Sequence, residues 1–320
     1  MRTDVVTGAF SYSGAAIARQ LRAKGHHVRT LTGHPGRAPA DTDIDVRPLA
    51  FPDPDPNPAV GAATATAAAT AATDALARDL AGAHTLYCTY WVRFSHGDVT
   101  HQAAVKNSRM LFDAAARAGI QRIVHVSITH ADPASPYPYF RGKGEVEEYL
   151  KATGVPYAIV RPAILFGRNG VLINNIAWLL RRLPVFAIGG RGDYRIRPIH
   201  VDDLARLAVN LGGNNDNVTL DAVGPESVTF KDMVTAIRSA TGSHAIIVPA
   251  PGWLIPPLSA ALGVALRDVL LNAEEYQAMA AGLADSQGPA SGQTVLTEWI
   301  AQHGQELGRT YANELTRHYR

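Results

Sequence analysis

Cysteine is nearly absent. Cys88 is the single thiol in 320 residues, so no disulfide can form within the chain, and a reducing, cytoplasmic setting is the expectation. An excess of charge of either sign is missing too. The 30 Lys and Arg against 28 Asp and Glu leave a formal net charge of +2, too little to argue for nucleic acid or an anionic lipid surface as a partner. No uncharged apolar run reaches the roughly 18 residues that a membrane-spanning helix needs. The most apolar stretch, PGWLIPPLSAALGVALRDVLL at 251–271, is broken early by Pro256 and Pro257 and late by Arg267 and Asp268, and is expected to form a buried or lid helix. The N-terminus lacks a charged region followed by an apolar run and a cleavage site, so no secretory signal is expected. There is no internal repeat, no linker-like shift in composition and no Gly-x-Ser-x-Gly elbow of a serine hydrolase. The 12 His show no ligand spacing, and HVDD at 200–203 reads as a helix N-cap rather than a metal site.

What is present is a globular composition, 47% hydrophobic and 18% charged, with enough chain for a large α/β domain and an appended lobe. The first half alternates two periodicities. Short apolar or β-branched runs at 4–8, 26–33, 43–51, 85–91, 120–128 and 156–162 predict strands. Between them, 14–25, 74–84, 105–119 and 139–153 carry helical spacing. Strands separated by helices predict βαβ units and an α/β, Rossmann-type, doubly wound parallel sheet. The segment 51–73, alternating prolines followed by an Ala/Thr tract, breaks the rhythm and is either a loop or a marginal helix.

The first strand-to-helix turn reads VTGAFSYSGAAIA. A dinucleotide fingerprint at this place would put glycines at 8, 11 and 14, for a tight turn, close approach of a pyrophosphate and close helix–strand packing. Gly8 and Gly14 are there, and Ser11 stands at the middle position. Ser11 is small and able to donate to a phosphate oxygen, but it adds a Cβ. Phe10, Tyr12 and Ser13 complete the loop, whose helix start offers unpaired N–H groups and a positive dipole end. At the end of the second strand an acid would bind ribose hydroxyls and repel a 2′-phosphate. The chain has Thr32, Gly33 and His34 there, with Arg37 close behind, so NADP is expected over NAD.

Downstream runs SPYPYFRGKGEVEEYL, 135–150, in which Tyr139 and Lys143 are four residues apart and share one helix face. An ammonium beside a phenol favours the phenolate, and such a Tyr can exchange a proton with a substrate oxygen. Ser127, at the end of the preceding strand, is able to hydrogen-bond the same oxygen, with Thr129 as the neighbouring alternative. Tyr-x-x-x-Lys recurs by chance, and Glu147 offers Lys143 an ordinary i+4 ion pair. Position in the βαβ series, rather than spacing, carries the argument.

The pieces VTGAFSYSG, AGIQRIVHVSI, PYFRGKGEVEEYL, YAIVRPAILFG and RIRPIHVDDLARLAV, in this order over about residues 3–210, resemble the extended and atypical short-chain dehydrogenase/reductase superfamily, in its NmrA-like and NDUFA9-like branches. The resemblance implies an NAD(P)-binding Rossmann domain at 1–162 and 197–223, and a smaller substrate lobe at 163–196 and 224–320. It implies a catalytic set of Ser127, Tyr139 and Lys143, supported by Asn107, and a pyrophosphate loop of Gly8, Ser11 and Gly14. It further implies Thr89 and Tyr90 beside the nicotinamide, a pocket closed by Arg161, Pro162 and Gly167, and Lys143 on the nicotinamide ribose. Asn174, Asn175 and the run containing Arg197 would face substrate. Two departures stand out: Ser11 in the loop, and the missing Gly-Asp adenine contact after the third strand, where Asp53 is a possible substitute. The aromatics Tyr90, Trp91, Phe94, Phe166 and Trp178 suggest an apolar or ring-bearing small-molecule substrate, or are simply core.

In the last third, Thr229 is expected to cap a helix with Met233, Val234 and Ile237 on its inner face, and Trp299, Ile300 and Leu307 are expected to pack. The tail is a candidate support for a homodimer. Three functions follow: an NAD(P)-dependent oxidoreductase of small carbonyls or alcohols, an epimerase or dehydratase with transient hydride transfer, and a non-catalytic nucleotide sensor or complex-associated protein.

Overall fold

A computed structural model describes residues 2–52 and 62–318. The chain divides into two compact units, one of Met1–Arg161 with Leu204–Leu220 and one of Pro162–Asp203 with Asp221–Arg320.

The first unit alternates as its periodicity predicts: β1 (Thr3–Thr7), α1 (Tyr12–Ala23), β2 (His27–Thr32), β3 (Asp45–Pro48), α2 (Ala62–Leu80), β4 (Thr85–Cys88), α3 (His101–Arg117), β5 (Arg122–Val126), α4 (Pro138–Ala152) and β6 (Tyr157–Pro162). The seven-stranded sheet runs β3-β2-β1-β4-β5-β6, with Val218–Ala222 at the far edge. Pairs among β1 to β6 are parallel. Strand order reverses between β1 and β4, so the crevice for a ligand opens beyond their carboxyl ends. The central strands β4 and β5 are buried at every position, as expected where helices cover both faces of a sheet.

The Ala/Thr tract is helical in α2. Alanine is the best helix former, and Leu76 and Leu80 sink into the core with Ala69, Ala72 and Ala77 against it. The proline-rich part before it, Asp53 included, lies outside the described residues.

The second unit has its own core, centred on Phe166, Ile173, Ile196, Met233, Ile237 and Trp299. Thr229 caps Phe230–Thr241 by accepting the Asp232 N–H at 3.0 Å, and Gly242 ends that helix in the left-handed region at φ 67°. Trp299, Ile300 and Leu307 pack as expected. In HVDD both acids lie inside the first turn of the helix Val201–Leu211, and His200 Nδ1 accepts the Asp202 N–H at 3.2 Å. Asp203 accepts the backbone N–H groups of Gln293 and Thr294 at 2.9 and 2.8 Å, tying that loop to the helix Val201–Leu211. The apolar 251–271 stretch forms a helix, as expected, but not a buried one. Its helix Ile255–Leu266 buries only Gly263, while Trp253 is 75% and Val264 82% exposed. With apolar residues on all sides, and Pro256 and Pro257 in its first turn, it has no single stripe to turn inward. Among the described residues no helix is long and apolar enough to cross a membrane, and no cluster of His, Cys, Asp and Glu is arranged to hold a metal.

Candidate active site

The turn after β1 is built around two glycines. Gly8 takes φ +63°, a conformation costly for any other residue, and its N–H reaches the Leu31 carbonyl of β2 at 2.8 Å. Gly14 lies so close that a Cβ there would stand 2.1 Å from the Gly8 carbonyl oxygen. Ser11 is the N-cap of α1, in extended conformation, and its hydroxyl makes no cap bond. Its Oγ would lie 3.1 Å from a Cβ on Gly8 and 3.0 Å from one on Gly14, so the side chain fits between the two glycines. α1 starts at this loop, so its positive dipole end, with Ser13 and Gly14 in the first turn, lies where an anion would sit. Phe10 lies in the same turn, half-buried.

Thr89 joins this loop to β4. It donates through Oγ to the Thr7 carbonyl at 2.6 Å, and its N–H reaches the Thr7 hydroxyl at 2.7 Å. Tyr90 follows, packed on Phe51, its hydroxyl accepting from Asn107 at 3.0 Å. Asn107, a supporting candidate, is thereby directed to Tyr90. Burial raises the Tyr90 pKa, partly offset by that hydrogen bond. At the end of β2, the Thr32 hydroxyl accepts the His34 N–H at 3.2 Å, and exposed Arg37 closes a single 3-10 turn, Pro35–Arg37.

The centre of the site is Lys143, on the second turn of α4 and 2% exposed. Its Nζ donates to the Val126 carbonyl at 2.8 Å, at the carboxyl end of β5, and lies 4.5 Å from the centroid of the Trp91 ring. Burial pulls its pKa down from 10.5 to about 7, while Cys88 and Glu147 act in the opposite direction. Two glycines flanking it make that burial possible. A Cβ on Gly142 would meet the Trp91 ring at 3.0 Å, and one on Gly144 would meet the Asp132–Pro133 backbone at 2.4 Å. Each glycine costs a helix interior roughly 1 kcal/mol, which the close packing offsets. Beneath Lys143, Cys88 and His125 are opposed on β4 and β5. Burial raises the Cys88 thiol to about 11 and drives His125 well below its ordinary value, with the Lys143 charge acting in the same direction on His125.

Tyr139, one turn before Lys143 and half-buried, meets Trp91 edge-on at 5.9 Å and His101 at 5.6 Å. Ser127, 3% exposed, directly follows β5 and donates to Glu147 Oε1 at 2.5 Å. Glu147 is the residue that sequence reasoning passed over. It is 1% exposed and receives Arg161 as a fork, Nε to Oε1 at 2.9 Å and Nη2 to Oε2 at 2.5 Å. Its i+4 spacing from Lys143 was visible, but the expected surface ion pair is a buried carboxylate serving Ser127 and Arg161. Thr129 is fully buried two residues beyond Ser127, and His130 after it takes a left-handed φ of 57°.

The remaining candidates lie in the second unit. Phe166 is fully buried against His200 and Trp299. Asn175 is occupied with the backbone of Ala312, donating at 2.9 Å and accepting at 3.0 Å. Arg197 holds the carbonyls of Gly224, Ser286 and Gly288. Trp178 packs on Tyr311 and under Arg182. Pro162 is buried at the end of β6, and Gly167 takes φ 142°. A groove of about 620 Å³, lined by Lys106, Arg109, Asp113 and Glu145 among others, contains none of Ser127, Tyr139 and Lys143.

A parallel doubly wound sheet with a glycine turn at its switch point defines a Rossmann-type α/β protein. A family described as NAD(P)H-binding matches residues 8–173, more than half of the chain, and the protein belongs to that family, in the NmrA-like/NDUFA9-like branch of the atypical short-chain dehydrogenase/reductases. The mitochondrial NADH-ubiquinone oxidoreductase 40 kDa subunit of Neurospora crassa is 24% identical over 175 residues, 54% of this chain and 46% of that protein. The chain therefore spans less than half the length of that relative. An uncharacterized protein of Sinorhizobium fredii is 23% identical over 288 residues, 82% of this chain and 67% of that one. Among solved structures, the triphenylmethane reductase of Citrobacter sp. superposes with a TM-score of 0.72 at 17% identity, covering 95% of this chain and 100% of that one. A nucleoside-diphosphate-sugar epimerase from Staphylococcus aureus gives 0.69 at 17% identity, covering 94% and 100%. These likenesses establish the Rossmann-type fold.

Proposed function

We propose that the chain is an NAD(P)-dependent oxidoreductase that moves hydride between nicotinamide and a small carbonyl or alcohol substrate, with Tyr139 exchanging the proton at the substrate oxygen. The observation that carries this reading is Lys143: an amine buried at the carboxyl end of β5, one turn from Tyr139, with a single backbone acceptor at 2.8 Å for its three donors. The loop fits a dinucleotide, because Gly8 and Gly14 bring the start of α1 close against the turn after β1, with the positive end of the helix dipole toward a phosphate. Gly8, Phe10, Ser11, Tyr12, Ser13 and Gly14 would hold the pyrophosphate. Thr32, His34 and Arg37 would take the adenosine end, and Thr89, Tyr90, Lys143, Arg161 and Pro162 the nicotinamide end. The absence of a carboxylate after β2, with Arg37 in its place, supports NADP over NAD. When bound, the nicotinamide supplies the hydride acceptor or donor.

The protein's own part is proton control. Tyr139 lies one helical turn from Lys143, and Trp91 shields the Lys143 amine from water. Substrate contact falls to Tyr139 and Trp91 in the first unit. Phe166, Asn175 and Arg197 act in the second unit as core and loop supports, around which a substrate lobe is organised.

The test is a parallel fluorescence titration with NADPH and NADH, followed by a carbonyl and alcohol panel run with wild type and Tyr139→Phe. Tighter NADPH binding and a turnover loss on the order of a hundredfold or more in the variant are expected. Full turnover in Tyr139→Phe would overturn the assignment of the proton carrier. Failure to bind either nucleotide would overturn the whole reading and favour a complex-associated protein. Turnover with the cofactor left unconsumed would mark an epimerase.

A further inference from the structure

The direction of one hydrogen bond limits what Ser127 can do for a substrate. Glu147 sits in a bidentate guanidinium fork from Arg161 and is therefore the ionised, acceptor-only form. The Ser127 hydroxyl has one proton, and it is given to Glu147 Oε1 at 2.5 Å. Among the described residues nothing donates to Ser127 Oγ in return. Two lone pairs are what it has left for a ligand. A carbonyl oxygen also offers only lone pairs, so Ser127 cannot stabilise the reacting oxygen of a ketone while Glu147 holds its proton.

Resting on the oxidoreductase reading above, we propose that Glu147 is a positioning residue that turns Ser127 into an acceptor, and that the substrate carries a hydroxyl donor next to its reacting carbon: an α-hydroxy carbonyl or, in the reverse direction, a vicinal diol. The reacting oxygen is served by Tyr139, and the neighbouring hydroxyl donates to Ser127. In the reducing direction hydride adds to the carbonyl carbon, the C=O π bond breaks, and the oxygen takes its proton from Tyr139. The neighbouring hydroxyl keeps its own proton throughout, so the step balances with reduced nicotinamide as the reductant. A substrate without that hydroxyl leaves the Ser127 lone pairs unpaired in a site where Ser127 is 3% exposed.

The probes are 2-hydroxyacetophenone, propiophenone, which matches it in size, and α-methoxyacetophenone, which is one methyl larger; they differ in donor, apolar and acceptor character at one position. Wild type is expected to favour the hydroxy ketone in kcat/KM over both others by about tenfold or more. In Glu147→Gln the side-chain amide can donate to Ser127 and free its proton. The preference should then fall toward parity or pass to the methoxy ketone. Ser127→Ala, which disturbs no buried ion pair, should lose the preference as well, and covers the case in which Glu147→Gln does not fold. Equal use of the three ketones by wild type would overturn the proposal, as would an unchanged preference in both variants. A merely structural Glu147 would lower thermal stability without moving the ratio. Neutron diffraction from deuterium-exchanged crystals supplies a readout that needs no turnover. A deuteron on Ser127 Oγ aimed at Glu147 supports the assignment, and one aimed elsewhere, or sited on Glu147, overturns it. Should no ketone be reduced, the oxidoreductase reading fails while the deuteron still decides the role of Glu147.

Discussion

Lys143 makes a prediction about stability that needs no substrate. Its folded-state pKa is depressed to about 7 from 10.5, so between those values the unfolded chain holds a proton that the folded chain does not. Stability therefore rises with pH across that window, and the penalty is fully present below pH 7, where the buried amine must be charged. From about pH 7.5 to about pH 9 this single group should add about 2 kcal/mol to the unfolding free energy, close to the limit of ~1.4 kcal/mol per pH unit. Near pH 9 Cys88 offsets about 0.4 kcal/mol of this gain. Burial raises its thiol from 9.0 to about 11, which works the other way by destabilising the fold once the unfolded thiol ionises. The perturbation is Lys143→Met, which keeps the length of the side chain and removes the titrating group. Urea unfolding followed by circular dichroism at half-unit pH steps should show a rising stability in wild type and a nearly flat one in the variant. Equal slopes in the two proteins, or a wild-type stability that falls relative to Lys143→Met over this range, would refute the claim that burial controls the amine.

Other perturbations reach the remaining parts of the site. Gly14→Ala puts a Cβ 2.1 Å from the Gly8 carbonyl oxygen where ordinary contacts begin at 3.4 Å, so α1 must retreat by roughly 1 Å. A loss of 1–3 kcal/mol in urea stability, as is typical of overpacking, should accompany weakened nucleotide binding, and an unchanged titration would remove the loop from the site. Arg37→Ala should weaken NADPH by about tenfold or more and leave NADH unchanged, as expected for one charge-assisted hydrogen bond; a parallel loss for both would assign Arg37 no part in cofactor choice. Gly142→Ala should press on Trp91 at 3.0 Å and perturb its fluorescence, whereas an unshifted emission would show that the ring has room to move.

Much of this protein was legible before any coordinates. Apolar runs of period two or of continuous β-branched character, spaced by helical patterns, were enough for the parallel sheet, because each strand between two helix layers must be apolar on both faces. Gly8, Gly14, Tyr139, Lys143 and Ser127 were singled out as candidates by place in that series, since the carboxyl ends of parallel strands are where loops converge. Tertiary structure decided the rest. Whether Glu147 met Lys143 on a surface or Arg161 in the interior depends on β6 lying beside β5, a neighbour relation that spacing along one helix does not encode. The assignment of Asn175 and Arg197 to backbone partners more than 100 and about 90 residues away at their furthest depends on how loops return across the second unit. The depressed pKa of Lys143 is a property of burial, and burial follows from Trp91 and the Asp132–Pro133 turn closing over two glycines. A sequence names the residues that can ionise or donate; only packing determines which of them are shielded from water and which partner each one meets.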